Sequence, residues 1–414
     1  MPNRKPFPLW SFVGDICFCC QNPSPEKMRV LEFSQPNNIS GNNSSSDSSE
    51  EKPQDTDYKI VPCLSDELET LILARFPIPE HWKICCLNKK FLAFIENGEV
   101  FRIRREIGLK EPAVFITSGE NNWWAFNSTF NSFKKLPMIP SDFSFVLGDK
   151  ESFTAGTNLF VSGKEIEGTV VWGFELATKK WFKAPNMINP RCLFASATSG
   201  VIAYVAGGIE TTTCQEVLSS SEKYNSESRS WERLPEMIVK RKSCSGCFMD
   251  NRFYVIGGQD ENKNYLVSGE FFDQETNTWN LIPGMLKDII TPMSSSYNSP
   301  SPSPPLVAVA SNELYTLDAS SNELKVYLKG SNSWKTLGPV PVRADAVGGW
   351  GVAFKSLGNQ LLVIGGDAGS SWEQDLTIYT CCPDPRVEKL KWRRIVCGST
   401  NLNPFIRNCA VMLA

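Results

Sequence analysis

One pattern limits what this chain can fold into more than any other: an aromatic anchor that returns about every fifty residues. Trp181, Trp231, Trp279 and Trp334 each follow another aromatic by seven residues, namely Phe174, Tyr224, Phe272 and Tyr327. Phe126 and Phe133 repeat the spacing with Phe in place of Trp. Tyr379 and Trp392 make a sixth pair, stretched by an insertion around Cys381-Cys382-Pro383-Asp384-Pro385. The six anchors lie 48, 50, 48, 55 and 58 residues apart. Three residues beyond them stand Leu136, Ala184, Leu234, Ile282, Leu337 and Ile395, and four of these are followed by proline.

Upstream of the aromatic, three units carry an apolar strand that closes on a glycine pair: Gly207-Gly208, Gly257-Gly258 and Gly365-Gly366. Such a pair suits a buried strand whose end must turn tightly, with φ above zero or no room for a side chain. The unit at residues 160–163 keeps one glycine and the unit at 314–317 keeps none, so these two read as degenerate members of the same array. Alternating apolar residues and Asn/Asp/Ser turns dominate from residue 111 onward, with no long amphipathic helix. Residues 113–116 and 123–126 supply late strands of a unit that lacks a beginning, and residues 408–413 read as a first strand without a continuation. Joining the two removes exposed sheet edges.

The amino-terminal part has a different character. Residues 1–57 are poor in periodic apolar residues, and the Asn/Ser/Glu tract at 37–51 cannot bury enough surface to offset chain entropy, so the segment is expected to be disordered. From 58 to 108 the pattern is helical. Leu68, Leu71, Ile72 and Phe76 recur at helical spacing until Pro77 and Pro79 stop the helix. A second apolar set runs from Trp82 to Ile95 and closes on Asn97-Gly98, and a third short helix covers 100–107. Three short helices enclose a small core, so this unit needs a partner or the neighbouring domain.

Several kinds of chemistry are disfavoured. With 42 Lys+Arg against 45 Asp+Glu, the formal net charge of −3 offers no general affinity for nucleic acid or anionic membrane. No run approaches a membrane span, and residues 1–10 lack the apolar region of a signal peptide. His81 is the only histidine, which excludes multi-histidine metal sites and leaves one imidazole for any triad; its place between Glu80 and Trp82 reads as a solvated helix start. The fourteen cysteines read as reduced, partly buried thiols. Cys244 and Cys247 have metal-like spacing without a second such pair and read as packing, while Cys17, Cys19 and Cys20 form one short cluster that could bind metal or accept a lipid. No catalytic residue, metal or cofactor is expected.

The strand into Gly-Gly, then Tyr or Phe, then Trp, resembles the kelch repeat. The resemblance implies a four-stranded sheet per unit, packed around a central channel. The expected fold is therefore mainly β: a six-bladed kelch β-propeller over 112–414, preceded by a small three-helix unit. The repeats span about 143–190, 191–240, 241–289, 306–342 and 343–396, with a composite blade from 112–140 and 405–414. Gly207, Gly208, Gly257, Gly258, Gly365, Gly366, Trp181, Trp231, Trp279, Trp334 and Trp392 are then scaffold. Residues 58–108 resemble an F-box at Leu64, Asp66, Leu68, Ile72, Leu73, Arg75, Pro77 and Lys89. Ser65, Asn88 and Phe91 replace that family's usual proline, serine and tryptophan. The two units together, with residues 104–108 and Glu111-Pro112 between them, look like a plant F-box/kelch-repeat protein.

That resemblance implies a substrate-recognition subunit of an SCF-type ubiquitin ligase in the nucleus or cytoplasm, itself non-catalytic. Its helices would dock on a Skp-type adaptor, and through it a cullin-RING ligase, by Leu64, Leu68, Ile72, Leu73, Phe76, Pro77 and Leu87. Several of these serve equally well as the unit's own core. The alternative is a kelch interaction scaffold without ligase function. For the target protein, a basic residue recurs just before successive blades: Arg191, Arg241 with Lys242, Arg343 and Arg407. These side chains either converge on one face to favour an acidic or phosphorylated segment, or stand as separate salt bridges and solvated loop charges.

Overall fold

The computed structural model describes residues 64–118, 120–212, 215–289, 303–344, 348–366, 376–384, 386, 390–396 and 402–414. The expected disorder of 1–57, the first residues of the helical unit, the Cys17–Cys19–Cys20 cluster and most of the insert at 291–305 lie outside these residues.

Five helices form among the described residues: α1 (Asp66–Ala74), α2 (His81–Cys85), α3 (Lys89–Glu96), α4 (Glu99–Glu106) and α5 (Phe143–Leu147). Two of the three residues that depart from the F-box pattern have local work to do. Ser65 caps α1 by accepting from the Leu68 amide at 3.3 Å, and Asn88 caps α3 by accepting from the Phe91 amide at 2.8 Å. Asn88 thereby divides the expected second helix in two, so the unit holds four α-helices rather than three, with a 3₁₀ turn at Ile78–Glu80 where the prolines stand.

Six four-stranded antiparallel sheets follow. The composite blade has the strand order Ile406–Leu413, Pro112–Ser118, Glu120–Asn127, Phe133–Lys135, so the last strand of the chain supplies the first strand of blade 1. Blades 2 to 6 begin with Glu151–Ala155, Ala195–Ser199, Ser245–Met249, Leu306–Ala310 and Ala353–Leu357, each in contact with the first strands on either side. The two degenerate units, blades 2 and 5, are complete sheets.

The repeated aromatics explain how the blades hold together. The seven-residue spacing is a cross-strand pair in the outer hairpin: Phe174 faces Trp181 and Tyr224 faces Trp231, with ring centroids 5.2 and 5.0 Å apart. Each tryptophan also donates its indole N–H to a carbonyl of the preceding blade. Trp181 reaches Pro137, Trp231 reaches Pro185, Trp279 reaches Pro235, Trp334 reaches Met285 and Trp392 reaches Pro339, at 2.7–3.2 Å. Blade 1, with Phe133 in the anchor position, has no such donor and is closed by its ladder to residues 406–413 instead.

The glycine pairs divide into two kinds. Gly207, Gly208, Gly257 and Gly258 have φ of 68°, 96°, 63° and 92°, as expected, and a Cβ on Gly207 would lie 2.5 Å from the Arg241 carbonyl. Gly365 and Gly366 stay within the strand Gln360–Gly366 and have no positive φ.

The helical unit is continuous with the propeller. Leu73, Ile84, Phe91, Ile95, Val100 and Phe101 share one apolar cluster with Phe115, Trp123, Ala177, Ala410, Met412 and Ala414, and residues 59–414 form one compact unit. The small helical core is thus completed by the neighbouring domain.

Candidate functional site

Two exposed surfaces stand out, one on the helices and one on the propeller. In α1 the buried side holds Glu69, Leu73 and Ala74, while Leu68 and Ile72 lie four residues apart on the other side. Leu68 is 47% exposed, Ile72 38%, Phe76 44% and Leu87 64%. An apolar row of this kind on a short helix is the pattern by which a helix meets a partner's groove. Leu73 is 1% exposed and belongs to the core, which corrects its place among the contact residues. Leu64 is half-buried and Pro77 exposed. Lys90 braces this surface from α3, reaching Asp66 at 3.1 Å and the buried Glu69 at 2.8 Å.

His81 departs from expectation: it is 4% exposed rather than solvated, packed against Phe101 at 5.8 Å. Burial lowers its pKa to about 4, so the ring is neutral at pH 7 and its Nε2–H donates to the Phe76 carbonyl at 3.1 Å.

The helices sit on the propeller face formed by the first-to-second and third-to-fourth strand connections. A Cβ on Gly98 would lie 4.0 Å from that of Ala177, and Arg105 pairs with Glu227 at 3.1 Å, both partners lying in third-to-fourth connections. The opposite face consists of the fourth-to-first and second-to-third connections. Most exposed large apolar side chains of the propeller lie there: Met138, Phe143, Leu147, Ile166, Ile188, Ile238, Tyr265, Val267, Trp350 and Phe405.

The most built part of that face is on blade 2. Asp142 caps α5 by accepting from the Phe145 amide at 2.9 Å, and its other oxygen accepts from the Ile166 amide at 2.7 Å. One carboxylate thus ties α5 to the hairpin between the second and third strands. Phe145 packs inward, and Phe143, Leu147 and Ile166 stand 67%, 74% and 65% exposed. Nothing in the repeat points to these three. The signal was an Asp cap between Pro140 and Gly148 with an apolar pair four residues apart.

Of the two readings of the basic residues, Arg191 and Arg241 follow the second: they stand as separate ion pairs and do not converge on one face. Arg191 and Arg241 are 0% exposed. Arg191 donates to the carbonyls of Gly207 and Ser220 at 2.9 and 2.7 Å and pairs with Glu222 at 2.5 Å; Glu222 in turn accepts from the Ile188 and Asn189 amides. Arg241 repeats this with Gly257, Ser268 and Glu270. Their common spacing to Gly-Gly reflects a buried brace that clamps the strand end, so they are corrected from partner contacts to scaffold. Blade 6 lacks the brace because Tyr379 occupies the register position of Glu222, and Arg343 is exposed. Lys242 is half-buried, its backbone bridged to Gln259. Arg407 is exposed beside Lys150, whose pKa is lowered to about 8 by burial first and by the Arg407 charge second.

The remaining candidates for chemistry are committed to packing. Cys244 belongs to the core between blades 3 and 4 and Cys247 to that between blades 4 and 5, their thiols pushed up to about 11 and about 12 by burial.

Comparison with known proteins gives a consistent picture. The Kelch motif matches residues 190–238 and 240–286, the two segments that carry the buried Arg–Glu brace. An F-box/kelch-repeat protein of Arabidopsis thaliana is 50% identical over 370 residues, covering 88% of this chain and 86% of that protein. A second from the same plant is 34% identical over 423 aligned positions, covering 100% of this chain and 96% of its own length. A third, also an F-box/kelch-repeat protein, is 35% identical over 355 residues, 82% of this chain and 76% of the relative.

Proposed function

Since the chain belongs to the F-box/kelch-repeat proteins, we propose that it is the substrate-recognition subunit of an SCF-type ubiquitin ligase. The helical unit docks on a Skp-type adaptor, and the propeller holds the target protein. The observation that carries this reading is the separation of the two exposed apolar surfaces: Leu68, Ile72, Phe76 and Leu87 on the helices, and the Phe143–Leu147–Ile166 knob on the propeller face away from them. A receptor that joins a ligase to a target needs two such surfaces on opposite sides of one body. Rigid blades support loop-borne recognition, because they hold the loops in place without being altered by them. The role is one of binding and presentation, and ubiquitin transfer falls to the partners.

Capture from plant extract with two surface variants tests this directly. Leu68→Asp/Phe76→Asp should lose the adaptor and keep target proteins that accumulate under proteasome inhibition. Phe143→Ser/Leu147→Ser/Ile166→Ser should keep the adaptor and lose those targets. If the helical variant retained the adaptor, the docking assignment would fail. If the wild type captured none, the chain would be an interaction scaffold.

A further inference from the structure

Glu111 lies where the propeller closes and where the helices join it. Its backbone pairs with Ala414 in both directions, Glu111 N–H donating at 2.8 Å and Ala414 N–H at 3.0 Å, so it extends the ladder that closes blade 1. Its side chain turns to the helical unit. Oε2 accepts from the Ile78 amide at 3.0 Å and from Arg104 Nη2 at 3.0 Å.

Arg104 is 1% exposed and passes the connection on. Its Nη1 donates to the carbonyls of Ala74 at 2.9 Å and Phe76 at 2.8 Å, at the end of α1. The Ala74 carbonyl ends α1, where no intrahelical donor reaches it, and the Phe76 carbonyl lies two residues past the helix and also accepts from His81 Nε2, so the order of this helix end depends on what reaches it from outside. A buried guanidinium without its carboxylate is strongly disfavoured. Glu111 therefore stabilises Arg104 in the position from which it donates to both carbonyls.

We propose that Glu111 is a positioning residue: it carries the closure of the propeller, through Arg104 and the Ile78 amide, to the end of α1, and so fixes Phe76 and Pro77 in the geometry that the adaptor meets. This rests on the docking reading of the helical unit. It adds that adaptor affinity depends on a residue that does not touch the adaptor. By linkage, the closing strand at 406–413 and the docking surface are coupled: whatever loosens one loosens the other.

The test compares the full-length wild type with Glu111→Ala and Glu111→Gln by amide hydrogen exchange and by affinity for a purified Skp-type adaptor. Glu111→Ala should speed exchange at Arg75, Phe76, Ile78 and Glu80 while leaving the strands of blades 2 to 6 unchanged. It should weaken adaptor binding about tenfold, equivalent to about 1.4 kcal/mol. Glu111→Gln keeps an acceptor for the Ile78 amide without the charge that faces Arg104, and should fall between the two. Unchanged exchange at the end of α1, equal acceleration throughout the propeller, or adaptor affinity within twofold of wild type in Glu111→Ala would each overturn the proposal. A wild type that binds no adaptor would overturn the docking reading instead, and the exchange measurement would then decide the role of Glu111 on its own.

Discussion

Replacing Arg241 separates a scaffold brace from a partner contact. Its guanidinium is 0% exposed and donates to the Gly257 carbonyl at 2.9 Å, the Ser268 carbonyl at 3.0 Å and the Glu270 carboxylate at 2.5 Å. Arg241→Ala leaves Glu270 as a buried, uncompensated charge and frees two carbonyls at a strand end. Breaking a buried pair in this way costs about 3–5 kcal/mol. At about 2.1 cal/mol/K of unfolding entropy per residue, the unit from residue 59 to 414 has an entropy of about 0.7 kcal/mol/K, so the melting temperature should fall by about 4–7 °C. Circular dichroism on heating reads this directly. Arg241→Met/Glu270→Leu removes both charges and should melt above either single variant, because no orphan remains. At temperatures where Arg241→Ala is folded, target capture should equal wild type. An Arg241→Ala protein that melts within 1 °C of wild type and fails to capture the target would refute the assignment.

Further outcomes follow from the packing. Met412 is fully buried in the closing strand, so Met412→Ala should cost about 2–5 kcal/mol, and deleting residues 408–414 should abolish cooperative melting. Trp231→Phe removes the indole donor to the Pro185 carbonyl while keeping the stack on Tyr224, and should lower stability by about 1 kcal/mol in thermal or urea unfolding. His81 has a pKa of about 4 when folded against 6.5 when unfolded. The unfolded chain therefore takes up a proton that the folded chain refuses, and stability should fall as pH drops from 6.5 toward 4, by up to about 3 kcal/mol. In urea titrations across that range, His81→Gln should flatten the profile.

The propeller was readable because its repeating residues face repeating partners. Trp181, Trp231, Trp279, Trp334 and Trp392 each need the preceding blade's carbonyl at a fixed distance, and that requirement appears as a period. The composite blade was readable for a related reason: residues 113–116 and 408–413 are apolar strands left without neighbours unless paired with each other. The sequence left the role of Arg191 and Arg241 open, because period reports equivalence of position and says nothing of direction. Their inward turn depends on Glu222 and Glu270, each two residues before the repeat aromatic, and only the arginine and that acid together identify the brace. On α1, helical spacing gave the apolar positions but not which side the neighbouring helices would cover. Leu73 and Leu68 differ in that respect: Leu73 is buried beside Phe91 and Phe94 of α3 in the shared cluster, and Leu68 is left exposed. Phe143, Leu147 and Ile166 escaped notice because their exposure depends on Asp142 joining two segments distant in sequence.

The measurement closest to the central claim is the affinity of the purified full-length chain for a purified Skp-type adaptor, taken for wild type and for Leu68→Asp/Ile72→Asp. Both substitutions lie on exposed positions of α1, so the melting temperature should stay within about 1–2 °C. Wild type should bind, and the variant should lose about a hundredfold or more in affinity, since two apolar anchors at the centre of a helix-in-groove contact become charged. Equal binding by the two proteins, or no binding by a well-folded wild type, would contradict the account.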